Sequence, residues 1–337
     1  MLGIGALGQY ALGQFPAAAI ALTQDILQRV VTEFVDAEKL PIRPAELHHF
    51  TSLDTARHII EGDNVWLSHA EYSNDQTEMG EAKEIIRTQL SARSATDQFF
   101  AQVFADYQRL APDLDAYIFC MSTGLRTATG PTPDMLSQWR AYGQNGRGIC
   151  LTINASDLAR LVSNTPGLRI NPVIYDRAVQ AQFVNAILDR AFAAHQAQDP
   201  SAHEAAIAAL VYTTPLMKAP GFVEEQEWRL VFMPPAGVVP RLGFHARRDF
   251  LAPYVTLNEI WFTLSPIMQN NPTLAASMPS PLPAVHVPPL VPITKIMVGP
   301  SVHAPLTERA MRKLIAQTPT RGAITVSVSQ IPYRSLT

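Results

Sequence analysis

A chain of 337 residues, 47% of them hydrophobic, has ample material for one large core or two small ones. A formal net charge of -3 excludes a broadly basic surface, so non-specific nucleic-acid binding is not the default. The two cysteines, Cys120 and Cys150, lack a CxxC partner and metal-type spacing; they fit a reduced, cytoplasmic protein and read as small core residues.

The first 24 residues carry no charged side chain and repeat ALGQ-aromatic in tandem, at 6–10 and 11–15. They lack a basic start, and Gly, Gln and Pro16 interrupt the apolar run, so they suit neither a signal peptide nor a membrane span. They read as a packing arm or loose tail through which copies of the chain can associate. Apolar residues at Ile20, Ile26, Leu27, Val30, Val31, Phe34 and Val35 predict a helix over 17–37. Residues 1–45 thus form an arm and a helix ahead of a larger domain, 46–337.

That domain opens with a strand in "LHHFTS" (47–52). A short helix capped by Ser52 or Asp54 and ended by Gly62 follows, then a strand in "NVWLS". Residues 78–110 and 177–212 read as long helical regions packed outside a sheet. Strands are expected at 116–122, 148–154, 169–175, 227–233, 254–264, 293–300 and 324–331. Residues 266–292 hold eight of the 27 prolines and read as an extended loop. Strands with uneven helical insertions give an α+β class in a single large domain.

Within this frame "GFVEEQEWRLVF" (221–232) reads as a strand that places Glu225, Glu227 and Arg229 on one face. The plain reading is a solvated edge strand with a weak ion pair. The sharper one is a catalytic Glu-x-Glu in which one carboxylate's ionisation disfavours the other's. His49 and Thr51 share a strand face; "WLSHAEYSNDQTE" (66–78) crowds Tyr72, Asn74, Asp75 and Glu78 after a strand. "DMLSQWRAYGQNGRGICLTI" (134–153) sets Gln138, Trp139, Arg140 and Tyr142 before a Gly-rich bend. There an Arg can bind phosphate while a ring stacks on a base, or the pair can simply make a cation-π contact. The terminal "SQIPYR" aims Arg334 back at the domain, toward Asp75, Glu78 or a bound phosphate. Dinucleotide, P-loop, zinc-hydrolase and serine-elbow fingerprints are absent. A carboxylate-centred site with His, Tyr, Trp and Arg suits a nucleotide better than a sugar polymer.

Several of these phrases, in order over residues 46–334, resemble the bacterial family called Domain of Unknown Function 2971: Asn-Asp-x-x-Glu, Gln-Trp-Arg-x-Tyr, Glu-x-Glu-Trp-Arg and the terminal Pro-Tyr-Arg. The opening His49-x-Thr51 unit and Glu225-x-Glu227 also resemble the ADP-ribosyltransferase superfamily. That second resemblance implies a mixed, split sheet, NAD as substrate, His49 on the nicotinamide ribose and Glu227 as the catalytic carboxylate. For the middle Ser-Thr-Ser or Tyr motif of those transferases it leaves Ser122 and Thr123 in "CMSTG", or Tyr142 as a ring to stack nicotinamide. The implied protein is an NAD-dependent mono-ADP-ribosyltransferase or NAD glycohydrolase, used as a toxin or against phage, with an acceptor the sequence does not name. Two rivals stand beside it. One is a Mg²⁺-dependent nuclease with Asp75, Glu78, Glu225 and Glu227 as ligands. The other is a non-catalytic nucleotide-sensing module using Trp139, Arg140 and Arg334.

Overall fold

Helical and two-residue periodicities sort the chain into the elements of the computed structural model, which describes residues 17–62, 65–73, 78–111, 115–127, 130–163, 165, 167–234, 239–246, 249–270, 291–318 and 323–333. The arm before residue 17 lies outside them. Helix α1 (Ala17–Asp36) buries Ile26, Val30 and Phe34 as one stripe. Strand β1 (Glu46–Thr51) runs into α2 (Leu53–Gly62), where Ser52 Oγ accepts from the Thr55 N–H at 3.0 Å and Ala56, Ile59 and Ile60 are buried. After β2 (Trp66–His69), the helical region expected at 78–110 is two helices, α3 (Glu78–Ser94) and α4 (Gln98–Leu110). Extended Asp97 separates them and caps the second by accepting from the Phe99 N–H at 2.8 Å.

Next come β3 (Tyr117–Ser122), β4 (Leu125–Thr127), β5 (Gly130–Thr132), α5 (Leu136–Ala141), β6 (Ile149–Asn154), α6 (Ala155–Ser163) and β7 (Leu168–Pro172). The region 177–212 also divides, into α7 (Arg177–Gln196) and α8 (Ala202–Thr213). The chain closes with β8 (Glu227–Phe232), β9 (Gly243–Ala246), β10 (Leu251–Thr256), α9 (Leu257–Asn270), β11 (Ile293–Val298), α10 (Ala304–Ala316) and β12 (Thr325–Val328).

Three expectations need correction. The strand expected to reach residue 264 stops at Thr256, because Leu257, Ile260, Trp261 and Leu264 recur at helical spacing and are all buried, and Thr256 Oγ1 caps the new helix through the Glu259 N–H at 3.0 Å. Helix α9 also runs four residues past Pro266, into the segment expected to be loop; residues 271–290 lie outside the description. Helix α8 packs outside the sheet as expected; it is apolar all round and nine of its residues are buried, which makes it the centre of the helical layer. Strand β8 starts only at Glu227, since Pro220–Glu225 is a short 3-10 helix and Gln226 is left-handed at φ 43.

Ten strands form one mixed sheet, antiparallel except where β11 pairs β12. One edge of β3 pairs along its whole length with β8, which in turn pairs β7. The other edge is shared: β1 meets it at Ser122, and β2 meets it at Tyr117 and Ile118. From β1 the sheet continues to β6, β11 and β12, and from β2 to β10 and β9. The sheet is therefore split, and, among the described residues, residues 119–121 of β3 have a strand partner on one side only. One face packs Leu47, Phe119, Leu151 and Leu230 under α2, α6, α9 and α10. The opposite face carries Ile118 and Val231 against α1, α3, α4, α7 and α8. Beside that bundle, Phe50 and Cys150 pack on Trp139 of α5. Among the described residues no helix is long and apolar enough to cross a membrane.

Because Leu210 sits fully buried in the second half of α8, Leu210→Ala should cost about 2–5 kcal/mol. Urea unfolding followed by circular dichroism reads this; a loss below about 1 kcal/mol would remove α8 from the centre of the core.

Candidate functional site

A strand edge inside a sheet must satisfy its carbonyls elsewhere. In the split, the Cys120 carbonyl accepts a hydrogen bond from His49 Nδ1 at 2.9 Å, and the His49 ring lies 4.2 Å from that of Phe119. A carbonyl only accepts, so Nδ1 carries the proton and Nε2 the lone pair. Burial lowers the His49 pKa to about 4 against the opposing pull of that hydrogen bond, so the ring is neutral at pH 7. The neighbouring His48, on the other face of β1, has its Nδ1 3.1 Å from Thr152 Oγ1 and is also lowered to about 4 by burial.

The split opens into a cleft of about 740 Å³. Its floor holds two carboxylates and two cations. Arg229, fully buried, forks onto Glu227 through Nε to Oε1 at 2.8 Å and Nη2 to Oε2 at 3.0 Å, and its Nη1 donates to the Pro215 carbonyl at 2.7 Å. Lys218 Nζ lies between the acids, 2.5 Å from Glu225 Oε2 and 3.2 Å from Glu227 Oε2. Tyr142 donates its hydroxyl to Glu225 Oε1 at 2.6 Å, and the Glu227 N–H donates to Tyr175 Oη at 2.9 Å.

This arrangement overturns the expected like-charge repulsion. Burial pushes the Glu227 carboxyl up, but the Arg229 charge and hydrogen bonds, with Lys218, prevail and hold it near 2. Burial also opposes the Lys218 ammonium, yet the two glutamates raise its pKa. The Tyr142 hydroxyl is raised by burial first and by Glu225 second. Glu227 and Lys218 therefore stay charged at neutral pH. Nor is this an edge strand with a solvated face, since every residue of β8 is buried.

Of the residues singled out in the sequence, His49, Thr51, Ser122, Tyr142, Glu225, Glu227 and Arg229 all line this one cleft. Ser122 stands opposite both His48 and Glu227 in register, and its Oγ accepts from the Gly124 N–H at 3.2 Å. Trp139 and Arg140 do not line it. The Trp139 indole is fully buried, donates to Asp134 Oδ1 at 2.8 Å and meets Phe50 edge-on at 4.9 Å; it holds α5 against the sheet. Arg140 is exposed, with its guanidinium 5.3 Å from the centre of the Tyr333 ring, a cation-π contact with the C-terminal segment. Asn74, Asp75 and Arg334 lie outside the described residues, as does the side chain of Glu78. Cys120 is not a sealed core residue: it is half-buried and lines the cleft.

Sequence reasoning missed Lys218, Tyr175 and His48. Lys218 had a signal: one lysine in the apolar run "TTPLMKAPGF", seven and nine residues before the two glutamates. Among the described residues no three His, Cys, Asp or Glu side chains form a metal-holding group.

Residues 138–230 match the family model described as "Protein of unknown function (DUF2971)". The match runs from Gln138 in α5 into β8, so it contains both the Gln-Trp-Arg-x-Tyr and the Glu-x-Glu-Trp-Arg motifs, and the family resemblance drawn from them holds over this segment. No curated protein and no solved structure matches the chain.

The folded-state pKa of His48 and His49, about 4, lies below the ordinary value of about 6.5. Between those values the unfolded chain binds more protons, so stability is full above about pH 6.5 and falls as pH drops toward 4. Glu227, near 2 when folded, adds a loss in the same direction at lower pH, below about 4.3. Urea melts across pH 4–7 should show this slope, and His48→Asn should reduce it by about one proton. An unchanged slope in that variant would mean that His48 titrates normally.

Proposed function

We propose that the cleft binds NAD and that the protein is a mono-ADP-ribosyltransferase, or an NAD glycohydrolase using the same arrangement. The observation that supports this most is convergence: His49 and Thr51, Ser122, Tyr142, and Glu225 with Glu227 come from four distant parts of the chain and meet at one split in the sheet. Cleaving the bond between ribose and nicotinamide leaves positive charge on the ribose. A carboxylate beneath that charge lowers the barrier only if it stays ionised, and Arg229 keeps Glu227 ionised at any physiological pH. Nε2 of neutral His49 can accept from a ribose hydroxyl. Glu225 is the more accessible carboxylate, 16% exposed against 5% for Glu227, and sits on the turn before the strand, placed to take a proton from water or another acceptor.

One observation favours a second reading. Both carboxylates are already neutralised by Lys218 and Arg229, which suits a nucleotide-binding module without chemistry. Incubation with NAD and a cell lysate, followed by mass spectrometry for free nicotinamide and for modified macromolecules, separates the two: binding without nicotinamide release selects the module. On the transferase reading, Glu227→Gln should lower nicotinamide release about 100-fold or more. The variant leaves buried Arg229 short of its ion pair, so its melting temperature should also fall, and activity is compared per folded molecule by circular dichroism. Wild-type turnover in the folded fraction would assign Glu227 to structure alone.

A further inference from the structure

The wall of the cleft away from the carboxylates is built of rings. Trp66 opens β2, Tyr254 lies on β10 and His245 on β9, three neighbouring strands of one arm of the sheet. In register Tyr254 stands opposite Ser68, so Trp66 is its diagonal neighbour on the same face. The two rings are stacked, 4.3 Å apart and 14° from parallel. The ring of His245 sits 6.1 Å from Trp66 and 5.8 Å from Tyr254.

This stack depends on one glycine. Gly243 pairs with Tyr254 across the β9–β10 ladder, and a Cβ there would come within 2.3 Å of Tyr254 Cζ and 2.6 Å of its Oη. Without a side chain at 243, the Tyr254 ring occupies that space and backs Trp66. Trp66 and His245 line the cleft, whereas Tyr254 does not. Trp66 therefore stands between Tyr254 and the cleft, with one face supported and the other toward the ligand space. It is 37% exposed, while Trp139, Trp228 and Trp261, the remaining three of the four tryptophans, are at 0%, 5% and 6%.

A backed, flat, half-exposed indole in a cleft matches a planar aromatic ligand, because a further ring extends the stack and gains the contact that water cannot give. We propose that Trp66 is the base subsite of the cleft and stacks the adenine ring of NAD. This rests on the reading above, which places the nicotinamide ribose at His49 and the carboxylates; adenine is the other ring of the same molecule.

The experiment is calorimetric titration with NAD, AMP and nicotinamide mononucleotide, run on the wild-type chain, Trp66→Ala and Trp66→Phe, with nicotinamide release measured in parallel. Trp66→Ala should weaken NAD and AMP about 10-fold or more and leave nicotinamide mononucleotide, which has no adenine, unchanged. Trp66→Phe keeps a ring and should stay within a few-fold of wild type. AMP should also quench tryptophan fluorescence in the wild type and not in Trp66→Ala. The proposal is overturned if AMP fails to bind, or if Trp66→Ala weakens the mononucleotide as much as NAD. If AMP and NAD bind through Trp66 but no nicotinamide is released, the base subsite stands and the transferase reading falls. Nicotinamide release by Trp66→Ala with an unchanged KM for NAD keeps the transferase reading and removes the subsite.

Discussion

Everything at the floor of the cleft depends on the buried fork between Arg229 and Glu227. Taking both ions out of water costs several kcal/mol per ion, and only close, multiply bonded pairing offsets it. The protein supplies that pairing from three segments at once: the first turn of β8, the Pro215 carbonyl in the 3-10 turn after α8, and Lys218 beyond it. The fork thus ties the centre of the helical layer to the central strands of the sheet. Removing either ion leaves the other buried without its closest counter-charge.

The same fork decides what kind of site the carboxylates make. Two acids alone in a dry cleft would share a proton, and one would titrate near neutral pH. With Arg229 and Lys218 built in, Glu227 does not, and it offers fixed charge in place of a titrating acid. Glu227 so held is suited to steadying charge that appears and disappears on a ligand, and poorly suited to moving protons. The exposed edge of this group, Glu225 with the Tyr142 hydroxyl, is carried by the short turn rather than by the strand.

The sequence was most legible where a single period ruled. The stripe of α1, the capped α2 and the apolar runs of β3 and β6 stand where their spacing placed them. It was misread where two periods overlap: "YVTLNEIWFTL" satisfies a strand at its start and a helix from Leu257 onward. At the site, His49, Glu225 and Glu227 stood out as polar residues in apolar strands. Trp139 and Arg140 stood out for composition alone, and their side chains serve the packing of α5 and the return of the C-terminal strand. Lys218 went unread because the 3-10 helix Pro220–Glu225 and left-handed Gln226, which separate it from Glu227, follow no two-residue alternation.

The split in the sheet carries a further consequence. Where β1 and β2 part, an imidazole takes over what a neighbouring strand would have done for the Cys120 carbonyl. A side chain acting as a one-residue strand is replaceable in a way a strand is not: its ring can turn and its bond can be surrendered without unzipping a ladder. The wall is therefore closed at this point by the side chain of His49, where the strands to either side are held by ladders.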